Sequence, residues 1–452
     1  MSKNTSTETK KKDKFSKEEW SWIMYDWANS GFATIFLAAI FPIFFTEMAG
    51  GVGSLGDAWW GFGNTASRIF LAILAPLLGA VIAYRGVKKK LFINLLAFGV
   101  LFHIFIVVQS SWQMLLLGYI FANMLWAAGN IVYDSYLSDV TSKERMDKVS
   151  AWGFALGYIG GSTIPFVISI VLIMFGGNFG IDMTPAPGGD LSIMAVRISI
   201  IITAVWWAVF SIPMLKNVHH KYPKEIPEKG VGAGVFQSAA TTARSIAKNK
   251  PMLLFLIAYF FYIDGVGAVM VMATAYGTVL GLGAIGMIGA LFVTQLVGVP
   301  FSILFGRLAK KYSSINLIAF AVIIYFIICV VGFIMGFGLE LEWFDLSVAQ
   351  IMFWALAFMV GTVQGGIQST SRAIWGRLIP AEHSGEYFGF YEIYGRFAGI
   401  IGPTLYGILR VAFSPAIGIL PIGTLFITGF VILMLARNGI KAQLDKSQPQ
   451  EG

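Results

Sequence analysis

Long apolar runs follow one another along the whole chain, separated by short polar turns. They occupy 20–45, 59–83, 91–109, 112–138, 149–175 and 192–215, then 251–277, 283–305, 315–336, 347–376, 387–411 and 415–436. A helix needs about 20 mostly apolar residues to cross a bilayer, so the pattern predicts twelve spanning helices. A spanning β-barrel would show short alternating segments, and none of these runs alternates. The expected class is an all-α membrane protein.

The second six runs echo the first six. Asp26 and Asp264, Glu144 and Glu382, Gly157 and Gly395, Gly161 and Gly399, and Pro165 and Pro403 all lie 238 residues apart. The basic turns at Gly79 and Gly306 are only 227 apart, which requires compensating loop changes. A long 46–57 connection has a tight counterpart near Gly281, and the short 109–111 turn becomes 336–345. An even number of crossings per half makes the two repeats parallel. The predicted organisation is a disordered tail (1–19), a six-helix bundle (20–215), a linker (216–250), a second bundle (251–436) and a tail (437–452). Within the linker, Val235 to Lys248 reads as an amphipathic surface helix. Trp20, Trp22 and Trp27 suit an interfacial aromatic belt.

Composition agrees with a bilayer: 57% of residues are hydrophobic, 12% are charged, and mean hydropathy is +0.74. The formal charge of +8 would suggest nucleic acid if it were clustered on a soluble surface. Instead, 27 of the 32 Lys and Arg fall in the two tails, the linker and alternate turns. By the positive-inside rule both termini and the linker are cytosolic. Residues 1–19 are polar, without the apolar core of a cleavable leader, so the first helix is expected to act as its own insertion signal. The lone Cys329 excludes disulfides within the chain, and four histidines, His219 and His220 adjacent among them, offer no metal spacing. No phosphate-binding loop or metallohydrolase pair occurs, so neither ATP-driven nor enzymatic work, nor a cofactor, is expected.

Ionisable groups inside spanning helices are costly and normally face a cavity or a partner. Here they balance: Asp26, Asp134, Asp264 and Glu392 against Arg68, Arg197, Arg372 and Arg396. Balance favours pairing over a pore that selects by sign. Asp264, beside Gly265 and Gly267, is the leading candidate for proton coupling or for anchoring a substrate ammonium. Asp26, with Asn29 one turn on, is its duplicate. Glu392 and Arg396, four apart, are expected to meet on one helix face. Asp134 and Arg372 are again 238 apart, and their opposite signs suggest a gate at the inner ends of the fourth and tenth helices. Uncharged polar groups suited to a substrate site are Asn123, Asn130, Tyr133, Gln295, Gln364, Gln368 and Ser369. The Gly-x-x-x-Gly steps at 153, 157 and 161 and at 395 and 399 read as close-packing faces.

The turns Gly79-x5-Arg85-Gly86-x-Lys88 and Gly306-Arg307-x2-Lys310-Lys311 resemble the loop signature of the major facilitator superfamily, although its acidic position is Ala83 in one copy and Lys310 in the other. Three stretches, YDWANSGFATIF (25–36), YDSYLSDVTSKERMDKVSAWGFALGYIGG (133–161) and GGIQSTSRAIWGRLIPAEHSGEYFGFYEIYGRFAGIIGP (365–403), are similar to the vacuole-effluxer-like branch, related to autophagy-associated vacuolar amino-acid exporters. The resemblance implies a major facilitator fold whose first, fourth, seventh and tenth helices line a cavity, and it suggests amino acids. The expected activity is secondary transport of a small polar solute by alternating access with proton coupling, in a monomer of the cell membrane. A lipid translocase or scramblase on the same fold is the alternative expectation.

Overall fold

The computed structural model describes residues 14–50, 55–226, 228, 230, 232, 234–282, 284–397 and 399–446. The disordered-tail expectation for the first 13 residues lies outside them, as do the side chain of Arg396 and parts of the linker.

Six helices form the first half. α1 begins at Lys17–Phe32, continues through a π-helical stretch at Ala33–Ala38 and ends as Ile40–Met48. Its start is set by a capping box: Glu19 N donates to Ser16 Oγ at 3.0 Å, and Ser16 N donates to Glu19 Oε2 at 2.8 Å. α2 is Leu55–Ile82, α3 Val87–Val108 and α4 Trp112–Ser135. α5 joins Met146–Leu156 to Ile164–Phe175 through a π-helical stretch at Gly157–Thr163, and α6 is Ile193–Asn217. The linker helix is Val235–Lys248, as the sequence predicts.

In the second half, α7 is Lys250–Val279, α8 Ala284–Leu308, α9 Ser314–Glu340 and α10 Leu346–Leu378. α11 is divided into Ser384–Phe397 and Ile401–Ala412, and α12 is Leu420–Lys446. Eleven spans among the described residues are long and apolar enough to cross a membrane. The twelfth expected span is the divided α11, whose pieces of 14 and 12 residues are each too short alone.

The halves meet along two seams, α2 against α11 and α5 against α8. Both seams are built on glycine at duplicated positions. A Cβ on Gly79 would sit 2.5 Å from the Gly385 carbonyl oxygen, and one on Gly306 would sit 2.5 Å from Ala151 Cβ and 3.2 Å from the Asp147 carbonyl oxygen. Gly79 corresponds to Gly306, and Asp147 to Gly385 in the 238-residue repeat, so the seams are related by the internal pseudo-twofold. These contacts lie at the ends of the helices nearest the linker. On the opposite side, the outer pieces of α5 (Ile164–Phe175) and α11 (Ile401–Ala412) pack chiefly within their own halves. Among the described residues, contact between the halves is therefore concentrated on the linker side.

Two sequence expectations need correction. Trp22 is no interfacial residue: it is fully buried, and its indole Nε1 donates to the Tyr133 carbonyl oxygen at 3.0 Å. Lys88, counted among the topology-setting basic turns, is buried and paired with Asp139 at 2.7 Å, because the start of α3 packs onto the short helix Leu137–Val140 that follows α4.

Candidate functional site

Arg372, near the linker-side end of α10, is 4% exposed and reaches across the boundary between halves. Its Nη1 donates to Asp134 Oδ1 on α4 at 3.0 Å, and its Nη2 donates to Asp26 Oδ2 on α1 at 3.0 Å. On α5, Ser150 takes Nε on its hydroxyl at 2.9 Å and Nη2 on its carbonyl at 3.2 Å. The Ser150 hydroxyl in turn donates to the Ser369 carbonyl oxygen at 2.9 Å. Trp22 and Phe154 flank the guanidinium, with ring centroids 4.7 and 4.5 Å away. A planar fork and an aromatic sandwich are what arginine offers and lysine does not. One side chain of the second half thus holds three helices of the first.

The expected Asp134–Arg372 pairing is present, and the structure adds Asp26 to it. Asp26 and Asp134 are 9% and 7% exposed. Two buried carboxylates share one guanidinium, and Glu392 of α11 lies close enough to Asp134 to interact electrostatically with it. The Tyr133 hydroxyl, beside Asp26, is buried with no well-formed hydrogen bond.

Asp264 occupies the same repeat position as Asp26 but meets a different environment. Gly399 adopts φ +81° and breaks α11, so backbone N–H groups at the start of the outer piece have no partner within the helix. Gly399 N and Gly402 N donate to the Asp264 carboxylate, the latter at 3.3 Å. Asp264 therefore acts as a cap supplied from another helix, with the positive end of that helix pointing at it. Arg68 of α2 lies against the same break: a Cβ on Gly399 would be 2.9 Å from Arg68 Nη1. In α5 the corresponding stretch, Gly157–Thr163, bulges into a π-helix without breaking, and no such capped end forms. The expected glycine faces do pack closely: a Cβ on Gly153, Gly157 or Gly161 would meet α1 at 2.3, 2.7 and 2.2 Å, one on Gly395 would meet the Tyr259 hydroxyl of α7 at 3.2 Å, and Gly399 Cα lies 3.5 Å from where a Cβ on Gly267 of α7 would sit.

Other candidates divide between helix contacts and half-satisfied groups. Asn123 Nδ2 donates to Ser67 Oγ at 2.8 Å, and Asn29 Nδ2 to Asn130 Oδ1 at 2.9 Å. Tyr119 donates to Asn64 Oδ1 at 2.6 Å. The Gln295 carbonyl oxygen on α8 is buried without a partner, while Gln364 is buried and Gln368 half-buried on α10. Arg197 Nη2 donates to the Gln109 carbonyl oxygen at 2.8 Å and binds no acid there. The expected meeting of Glu392 and Arg396 lies outside the described side chains.

A second inter-half ion pair was not anticipated. Arg377 lies 2.9 Å from Asp147 and donates to Ser314 Oγ at 2.8 Å. The 238-residue offset does not signal it, because the repeat partner of Arg377 is Asp139, which pairs with Lys88, and that of Asp147 is Gly385. The linker also contributes. Lys224 Nζ, Ser238 Oγ and Thr242 Oγ1 donate to the buried Glu386 carboxylate at 2.6, 2.7 and 2.7 Å, which ties the linker to α11.

Comparison with known proteins agrees with this architecture. Residues 138–443 match the family model described as vacuole effluxer Atg22 like. The chain is 38% identical over 443 residues to the uncharacterized MFS-type transporter YxiO of Bacillus subtilis (strain 168), covering 97% of this chain and 98% of that one. It is 26% identical over 288 residues to autophagy-related protein 22-1 of Aspergillus fumigatus, spanning 58% of this chain but only 43% of the fungal protein. Among solved structures it resembles FucP, a major facilitator transporter in the outward conformation, with TM-score 0.67 and 12% identity over 93% of this chain and 98% of that one. A bacterial homologue of the iron transporter ferroportin in an outward-facing state gives TM-score 0.66 and 11% identity over 93% and 98%. Twelve helices in two parallel repeats, together with these matches, make the chain a multi-pass member of the vacuole effluxer Atg22-like family of major facilitator superfamily transporters.

Proposed function

We propose that this transporter is a proton-coupled secondary carrier of a small polar solute, working by alternating access in the cell membrane as a monomer with both termini cytosolic. The observation that carries the reading is the Arg372 cluster. Two acids and a serine of the first half converge on one guanidinium of the second, on the linker side of the molecule. Rocking of the halves has to break those bonds. Leaving buried charges unpaired is costly, so the cluster acts as a gate that opens only when another charge compensates.

Its stoichiometry supports protons. With Asp26 and Asp134 both ionised, one guanidinium is surplus-paired in a low-dielectric site, and a proton on either acid removes the excess and weakens the hold on Arg372. Arg68 and Asp264 at the α11 break supply opposite charges that suit the carboxylate and ammonium of an amino acid, consistent with the branch that the sequence resembles. Asn123, Gln295, Gln364 and Gln368 are the uncharged contacts proposed for the rest of the solute. The concentration of basic residues at the linker side supports cytosolic termini.

Purified protein in liposomes with an imposed pH gradient tests the reading, with labelled amino acids as the first panel and other small polar solutes next. Uphill accumulation should be lost in Asp26→Asn and Asp134→Asn, while exchange of solute across the membrane persists. Normal proton-driven accumulation by both variants overturns the assignment of coupling to this cluster. Asp264→Asn, by contrast, should raise the KM for solute.

A further inference from the structure

The linker helix presents three stripes, each with the i, i+4, i+7, i+11 spacing of one helix face. Val235, Ala239, Thr242 and Ile246 are buried against α2, α7 and α11. Gln237, Thr241, Arg244 and Lys248 form an exposed polar and basic stripe. Between them run Phe236, Ala240, Ala243 and Ala247, an apolar stripe in which Phe236 is 76% exposed. Nothing in the first stripe's docking requires an outward-facing phenylalanine.

The depth of this helix is set by its neighbours. It ends at Lys248, and α7 starts at Lys250, so its carboxyl end lies where a spanning helix enters the bilayer. Its middle is held at the start of α11 by the Ser238 and Thr242 bonds to Glu386. The helix is thus pinned beside the linker-side ends of two spanning helices. An apolar stripe bordered by basic residues is the arrangement of helices that rest in the headgroup layer, and anionic headgroups are the partners of its charge.

We infer that the linker helix is a membrane-surface element: Phe236 enters the acyl boundary while Arg244 and Lys248 bind anionic phospholipid. Because the same helix clasps Glu386 of α11, such contact holds the linker to the bilayer during rocking of the halves.

The test uses the full-length protein in nanodiscs of phosphatidylcholine, with or without phosphatidylglycerol, whose acyl chains carry bromine as a quencher. Cys329 is buried and is the only native cysteine, so with Cys329→Ala single fluorophores can be attached through Phe236→Cys, Ala240→Cys and Thr241→Cys. Quenching is expected at 236 and 240, weaker at 241, and stronger with the anionic lipid. Each basic residue near an anionic surface contributes about fivefold in partitioning, so Arg244→Gln with Lys248→Gln should abolish the anionic preference. Absence of quenching at 236 and 240, or equal quenching in both lipids, overturns the inference. So does shielding of position 236 that persists in detergent and rises with protein concentration, which would mark a protein partner instead. Ala240→Cys keeps the test valid should Phe236→Cys disturb folding.

Discussion

Arg372 is the residue on which most of the inter-half bonding on the linker side converges. Removing one member of a buried ionic group typically costs about 3–5 kcal/mol, and Arg372→Ala strands two carboxylates at once. The expected result is a large drop in thermal stability in detergent. Adding Asp26→Asn and Asp134→Asn to that variant should restore much of it, because no unpaired charge then remains. A fall in stability that the neutralised triple variant does not reverse would count against charge as the cause. His220, in the linker beside the buried Lys88–Asp139 pair, provides a separate test. Desolvation and then the Lys88 charge push its imidazole from 6.5 down to about 4. A depressed pKa means that the unfolded chain takes up protons first. Stability contributed by neutral His220 is therefore present above about pH 6.5 and lost as pH falls towards 4. Thermal midpoints measured across that range should fall, and less steeply in His220→Gln.

Among the elements, the fifth helix of each half departs from regular geometry at the same repeat position, as a π-helical stretch in α5 and a break in α11. The break depends on Gly399 at φ +81°, a region that costs an L-residue roughly 1–2 kcal/mol. Gly399→Ala should lose about that much stability, since the one close neighbour of its Cβ, the tip of the Arg68 side chain at 2.9 Å, can move aside. Asp264→Ala should destabilise the same place by removing the acceptor of the freed N–H groups, where a buried unsatisfied donor costs about 1–3 kcal/mol. Circular dichroism melts of the two single variants and the double variant check the coupling. Effects that simply add would show that the carboxylate and the break are independent.

Across the whole molecule, the two glycine seams allow the halves to close on the linker side. Leucine at Gly79 or Gly306 puts bulk where a Cβ already meets backbone or Ala151 at 2.5 Å. Either substitution should wedge the linker side apart and shift the resting population towards the opposite opening. Ser302, fully buried on α8, reports this when replaced by cysteine in a Cys329→Ala background. Its reaction with a water-soluble thiol reagent should speed up in the leucine variants, and an unchanged rate would mean that the seams do not control closure.

Much of this architecture was legible in the residues alone. Hydropathy marks the spans because a bilayer tolerates only backbones whose polar groups are satisfied within the segment. Duplication is legible because gene-level repetition leaves fixed offsets, and the Asp134–Arg372 relation followed from one such offset. Linker amphipathicity was likewise visible as helical periodicity. What the sequence could not decide is which charge meets which. Asp26 and Asp264 are equivalent in the repeat, yet one binds Arg372 and the other caps a broken helix. Their fates diverge because Gly399 breaks α11 and frees N–H donors, while α5 absorbs its irregularity as a π-helical stretch. Local spacing determines where a carboxylate sits along its own helix; its partner depends on how separate helices cross, and only the packed tertiary structure sets that.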